Sequence, residues 1–272
     1  MKSKKMSFSK KDLIATFVCI VFILVTLGNV GSTGRRRAKE ALCLSNLSRW
    51  GQVFLDYAAD NDSYFMSGWT PQGTKHTDYW MEALRPYYVN PDLRCCPEAA
   101  IPGTDSGGGQ FGGRGTFVGW GIFSGDECGE PSPSWGSVTA CDYGSYGMNA
   151  WVCNPPSAQG VNWRTPDVEG AENIPMFGDH HWLDAWPNDT DVPPDYEGQP
   201  WAGAPQMGRV CMNRHSGFVN WAFLDGSARK VGVKELWTLM WHRNSDTCGP
   251  WTTCGGVEPN DWPGWMQDFE DY

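Results

Sequence analysis

Positive charge is scarce over most of this 272-residue sequence. Residues 1–39 hold nine of the 21 Lys and Arg (Lys2, Lys4, Lys5, Lys10, Lys11, Arg35, Arg36, Arg37, Lys39) and one of the 31 acids, Asp12. Twelve basic and 30 acidic residues remain from position 40 onward, a formal charge of −18. Such a surface repels polyanions, so no nucleic-acid partner is expected. Also missing are a nucleophile elbow, a phosphate loop, a dinucleotide fingerprint and a metalloprotease motif, which removes the usual sequence grounds for an enzyme. Neither an enzymatic activity nor a cofactor or metal is expected. What is abundant is cysteine, with 10, beside 16 Trp, 33 Gly and 19 Pro, a mixture typical of loop-rich domains held by covalent links in an oxidising compartment.

The run LIATFVCIVFILVTL (13–27) has no charge or helix breaker, and the uncharged stretch continues through Gly34. Those 22 residues would rise about 33 Å as a helix, against about 30 Å for a bilayer core, so a membrane span is expected. The lysines before it favour an inside N-terminus. Gly28, Gly31 and Gly34 each cost about 1 kcal/mol relative to Ala in a helix, which predicts a bend or a melted turn there. Cys19 lies inside the run, leaving an odd number of cysteines beyond it.

Cys43, Leu47, Trp50, Phe54 and Tyr57 then recur at spacings of four, three, four and three, while Ser45, Ser48, Arg49, Gln52 and Asp56 fill the other face. This is an amphipathic helix whose stripe must cover something, most simply the sheet of the domain that follows. Asp60 to Ser63 ends it with turn-forming residues. Residues 78–98 read as a short helix and then an extended strand into a Cys-Cys-Pro turn, and residues 101–147 as loop-rich β structure. PMFGDHHW (175–182) reads as a strand ending at Asp179. His180 and His181, beside Asp179 and Asp184, form the best metal-like cluster, but neighbours on an extended segment point to opposite faces and cannot easily share one ion. In RHSGFVNWAFLDGSARKV (214–231) an alternating strand meets the tight-turn pair Asp225-Gly226 and a returning strand, giving a β-hairpin within 215–233. His215 and Asp225 would lie about 30 Å apart on a straight strand, which argues against a catalytic pair and for a structural His. Cys248 and Cys254 flank the loop GPWTT and are placed for a local bridge.

The words LCLSNLSRWGQVFLDYAADNDSYF (42–65), SYGMNAW (145–151), and His215 separated by nine residues from Asp225-Gly226 resemble the prepilin-type, type II secretion G-like pseudopilin family with the C-terminal H-x(9)-D-G motif. VKELWTLMWHR (233–243) and WPGWM (262–266) fit the same family's C-terminal end. The resemblance implies an α+β, pilin-like fold: a long N-terminal helix, transmembrane in its first half and amphipathic in its second, packed on an antiparallel β-sheet with loop-rich, disulfide-containing insertions. The expected divisions are a basic leader and transmembrane helix over 1–34, the amphipathic continuation over 35–60, and an extracytoplasmic β-rich domain over 61–272. In this family a peptidase cuts after a Gly, the exposed Phe is methylated, and an acid stands at the fifth mature position. Phe8 would be the first mature residue and Asp12 the fifth. The sequence departs from the pattern in having Ser7 for the Gly, Asp for Glu, and Lys10 and Lys11 where apolar residues are usual. Processing and an uncleaved signal anchor both fit.

A Cys-Pro after the short helix is a family feature, and the resemblance implies that Cys43 pairs with Cys95 or Cys96, worth roughly 4 kcal/mol for a loop of about 50 residues. It further implies a single-pass inner-membrane protein, with its domain in the periplasm or on the cell surface after assembly. The role implied is that of a structural subunit of a type IV pilus or type II secretion-related filament, meeting like subunits or other pilins through the N-terminal helix and a prepilin peptidase if processed. Two alternatives remain. One is a membrane-tethered module that binds glycans or peptides through its many Trp rings. The other is an extracytoplasmic hydrolase using Asp179, His180 or His181.

Overall fold

The structure, a computed structural model, describes residues 10–68, 79–99, 101–102, 115–121, 143–156, 160–199 and 205–272. Two compact units divide between Ala41 and Leu42. Helix α1 (Lys10–Asp60) runs for 51 residues without interruption. No melted turn interrupts it at Gly28, Gly31 or Gly34, because glycine raises the entropic cost of a helix without removing any of its hydrogen bonds.

Among the described residues no helix is long and apolar enough to cross a membrane. This overturns the transmembrane first half and, with it, the single-pass inner-membrane placement. The physical reason lies in the sequence GNVGSTG (28–34), which is uncharged but not apolar. The apolar part proper is only the stretch from Leu13 to Leu27, about 22 Å of helix, short of a bilayer core of about 30 Å.

From Leu42 onward α1 behaves as its pattern dictates. Cys43, Leu47, Trp50 and Phe54 are buried, Tyr57 is half-buried with Ala58 buried beside it, and Ser45, Ser48, Arg49, Gln52 and Asp56 are exposed. The stripe covers one face of a five-stranded sheet. The strands, in chain order, are β1 (Ile101–Pro102), β2 (Val118–Gly121), β3 (Tyr143–Gly144), β4 (Tyr146–Asn149), β5 (Pro175–Asp179), β6 (Asp184–Ala185), β7 (Phe218–Phe223) and β8 (Ala228–Gly232). The larger sheet has the order β6-β4-β5-β7-β8, and β1-β2-β3 form a smaller one. Neither is purely antiparallel as expected: β4 and β6 run parallel, as do β1 and β2. β6 follows β5 through a connection too short for a helix but returns alongside β4, so its direction is set by how that loop folds over the sheet edge rather than by a hairpin.

Strand β7 shows how both sheet faces are used. Val219, Trp221 and Phe223 face one core with Trp237, Trp241, Trp262 and Met266 of the C-terminal segment, while Ala222 on the other face joins the core of α1 with Phe177. The segment expected as helix then strand is a short helix α2 (Trp80–Ala83) followed by 3-10 turns at Arg85–Tyr87 and Pro91–Arg94. Pro86 and Pro91 sit at the starts of those turns, where a missing N–H costs nothing, so the chain coils instead of extending.

The hairpin closes through three residues, Leu224–Gly226, rather than the two of a tight Asp-Gly turn. Ala222 pairs with Ala228, Phe223 N–H donates to Ser227 O (2.9 Å), and Gly226 takes the left-handed φ of +82°. Asp225 Oδ1 accepts from Ser227 N–H at 2.9 Å. A Cβ on Gly51 of α1 would meet the Gly226 carbonyl oxygen at 2.8 Å, and one on Gly226 would meet Leu55 at 2.9 Å. The hairpin tip therefore lies directly against the helix.

Candidate metal centre

Four segments far apart in sequence deliver side chains to one buried point. Cys43 comes from the buried stripe of α1. Cys96 stands two residues after a 3-10 turn, with its N–H donating to Ser145 Oγ at 2.7 Å. Asp179 ends β5. His215 lies in a tight reversal before β7, where Ser216 (φ +56°) and Gly217 (φ +90°) turn the chain and Asn213 Oδ1 accepts from Gly217 N–H at 2.5 Å. One ligand-capable atom from each of the four lies within 4.8 Å of all the others, and all four residues are buried.

The contacts converge on a single ring nitrogen. His215 Nε2 is 3.5 Å from Cys43 Sγ, 3.5 Å from Cys96 Sγ and 3.1 Å from Asp179 Oδ2. An imidazole nitrogen carries at most one proton and can serve one good hydrogen bond, so it cannot satisfy three neighbours at once. A Cys-His-Asp catalytic triad would place the carboxylate on Nδ1 and the thiol on Nε2. Here both crowd the same nitrogen, which is the wrong arrangement for nucleophilic catalysis.

A second ring of contacts holds these groups. Tyr146 Oη donates to Cys43 Sγ (3.0 Å). Asn220 N–H donates to Asp179 Oδ2 and Arg214 Nη1 to Asp179 Oδ1, each at 2.8 Å. The fully buried Arg214 is itself fixed through Nε to Thr116 O (2.8 Å) and through Nη1 to Ser145 O (2.7 Å).

Burial alone would raise the Asp179 carboxyl, but His215 and Arg214 bring it down to about 2. Burial opposes charge on His215 as well, yet Asp179 and Cys96 raise it to about 10. Cys96 is likewise penalised by burial and is nonetheless lowered to about 6 by hydrogen bonds with Cys43 and His215. Cys43, dominated by burial and next to these anions, is pushed up.

The expected bridge from Cys43 to Cys95 or Cys96 is not formed, and all three are free thiols. Cys43 and Cys96 both point at His215, whereas Cys95, though adjacent in sequence, is directed elsewhere and lines an open cleft with Leu42, Asn46 and Tyr143. Cys248 and Cys254 form a disulfide. Cys153 and Cys211 are buried free thiols, while Cys128 and Cys141 lie outside the described residues. So do Ser7 and Phe8, and the side chain of Asp12.

No family profile, curated protein or solved structure matches this chain.

His180 and His181 do not join the centre. His180 Nδ1 accepts from Trp182 N–H at 3.0 Å, and both rings are driven neutral, His180 well down and His181 to about 3, mainly by burial. Asp225 and Gly226 stay at the far hairpin tip, away from His215. Yet both ends of the motif meet α1, His215 at Cys43 and Gly226 at Gly51. The sequence pointed to a covalent partner for Cys43 in Cys95 or Cys96 and did not reveal Asp179 as a neighbour of Cys43 and Cys96. The one available signal was that β5 ends in an acid at the point where the pattern predicts a buried strand. Every described Trp is buried or half-buried, and most of them pack in the two cores.

Proposed function

We propose that the chain is a pilin-like structural subunit without catalytic activity, which associates with like subunits through the N-terminal part of α1. The observation carrying this reading is an exposed apolar stripe on the N-terminal part of α1. Ile14, Phe17, Val18, Val21 and Phe22 stand at i, i+3, i+4, i+7 and i+8, and Phe17 and Phe22 are 68% and 69% exposed. That spacing puts all five on one helix face, and a contiguous exposed apolar face of this kind supports protein association. The resemblance of residues 42–65 and of the His215 to Gly226 motif to prepilin-type subunits supports the same role.

Cys19, exposed beside the stripe, supplies a native probe. A short bismaleimide reagent on the full chain should give covalent dimers that vanish in Cys19→Ser. Sedimentation velocity should show concentration-dependent assembly that Val18→Glu with Val21→Glu disperses. A chain that stays monomeric at tens of micromolar and gives no Cys19-dependent dimer would refute the proposal.

A further inference from the structure

We infer that Cys43, Cys96, Asp179 and His215 form a structural zinc site that ties α1 to the sheet, a property independent of the assembly proposed above. Four ligands around one zinc ion, at about 2.0–2.3 Å each, stand about 3.3–3.8 Å apart along the edges of a tetrahedron. The two sulfur distances to His215 Nε2, at 3.5 Å each, lie within that range, the Asp179 Oδ2 distance, at 3.1 Å, lies just below it, and all four ligand atoms stand within 4.8 Å of one another. An ion at the centre resolves the crowding, because each group then directs one lone pair at the metal instead of competing for one proton.

The donor set selects the ion. Two soft thiolates with an imidazole favour zinc over magnesium, calcium or manganese, which prefer all-oxygen sites. Two thiolates and a carboxylate bring three negative charges, a divalent cation leaves one, and the buried guanidinium of Arg214 on Asp179 Oδ1 neutralises it. The polar shell is of the kind that orients metal ligands: Tyr146 Oη on Cys43 Sγ, Asn220 N–H on Asp179 Oδ2, and Ser145 Oγ holding the backbone of Cys96. Four protein ligands, all buried, leave no open position for water or substrate, which marks the site as structural rather than catalytic.

The test uses the full chain with its thiols reduced, titrated with zinc in competition with a chromophoric chelator. The expected result is one equivalent bound tightly. Cys19→Ser, Cys95→Ser and the Cys248→Ser/Cys254→Ser double variant should bind as the parent does. Cys96→Ser and Asp179→Asn should bind on the order of 100-fold more weakly or worse, and Tyr146→Phe, which removes only a supporting hydrogen bond, about 10-fold more weakly. Removing a ligand from a buried cluster risks unfolding, so cobalt binding to the parent chain provides a second reading, with thiolate-to-cobalt charge-transfer absorption expected. Failure of the reduced parent to bind either metal overturns the inference. So does parent-like affinity in a folded Cys96→Ser chain. Isolation with a Cys43–Cys96 disulfide that takes up no zinc after reduction would assign the pair a covalent role and also overturn it.

Discussion

At the scale of single residues, burial and pairing compete for each charge, and the winner differs from site to site. Burial pushes the Asp184 carboxyl up to about 6 although Arg209 Nη1 lies 3.2 Å away, and it pushes the Arg209 guanidinium down to about 10. Both partners are thus shifted towards neutrality, as happens when desolvation exceeds attraction. A carboxyl whose folded pKa lies above its unfolded value near 4 binds its proton more tightly in the folded state. Its contribution to stability is therefore present below about pH 4 and lost as pH rises from about 4 to about 6. Asp184→Asn cannot titrate, so the stability of this variant relative to the parent should rise by on the order of 2–3 kcal/mol across that window. Urea midpoints at pH 4 and pH 7 check it, and a pH-independent difference would show that Asp184 titrates normally.

The residue scale is also where the sequence was least informative about the site. The stripe Cys43, Leu47, Trp50, Phe54 marks Cys43 as buried, but burial does not tell a thiol that pairs with sulfur from one that faces nitrogen. Nor does the adjacency of Cys95 and Cys96 reveal which one turns inward, since that depends on the 3-10 turn set by Pro91. Ligands separated by 53, 83 and 36 positions form no local spacing motif at all.

Elements were more legible than sites because their signals are periodic. The alternation through β7 and the turn residues after it predict the hairpin, and the four-three spacing predicts the buried face of α1. Pairing direction was not legible, because β6 is two residues long and its parallel approach to β4 depends on the loop at His181–Leu183. The contact between the hairpin tip and α1 is an element-scale feature with a direct test. Gly226→Ala must hold an L side chain at φ +82° with Leu55 in its way, and Gly51→Ala must displace the Gly226 carbonyl. Each should cost about 1–3 kcal/mol in denaturant unfolding. The two share one contact, so the double variant should fall short of the sum of the singles. Strict additivity would mean that the tip and the helix do not touch in solution.

For the whole molecule, one helix serves two units with opposite demands. Within residues 42–272, α1 supplies Trp50 to a cluster with Trp80, Tyr88 and Phe177, the hairpin tip packs on Gly51, and Cys43 meets His215, Cys96 and Asp179. Within residues 1–41 the same helix carries an apolar stripe that its own described residues leave exposed. Uncharged length alone led to the expectation of a membrane span; the separation of apolar residues 13–27 from polar residues 28–34 is what removes it. On this account the H-x(9)-D-G motif is a clamp on α1, with the turn at one end and a metal ligand at the other.

Zinc K-edge X-ray absorption on the reduced full chain loaded with one equivalent of zinc tests that clamp most directly. Two sulfur scatterers at about 2.3 Å and two nitrogen or oxygen scatterers at about 2.0 Å are expected. A shell of nitrogen and oxygen alone would contradict it, placing the metal elsewhere and leaving His215 without the role assigned to it.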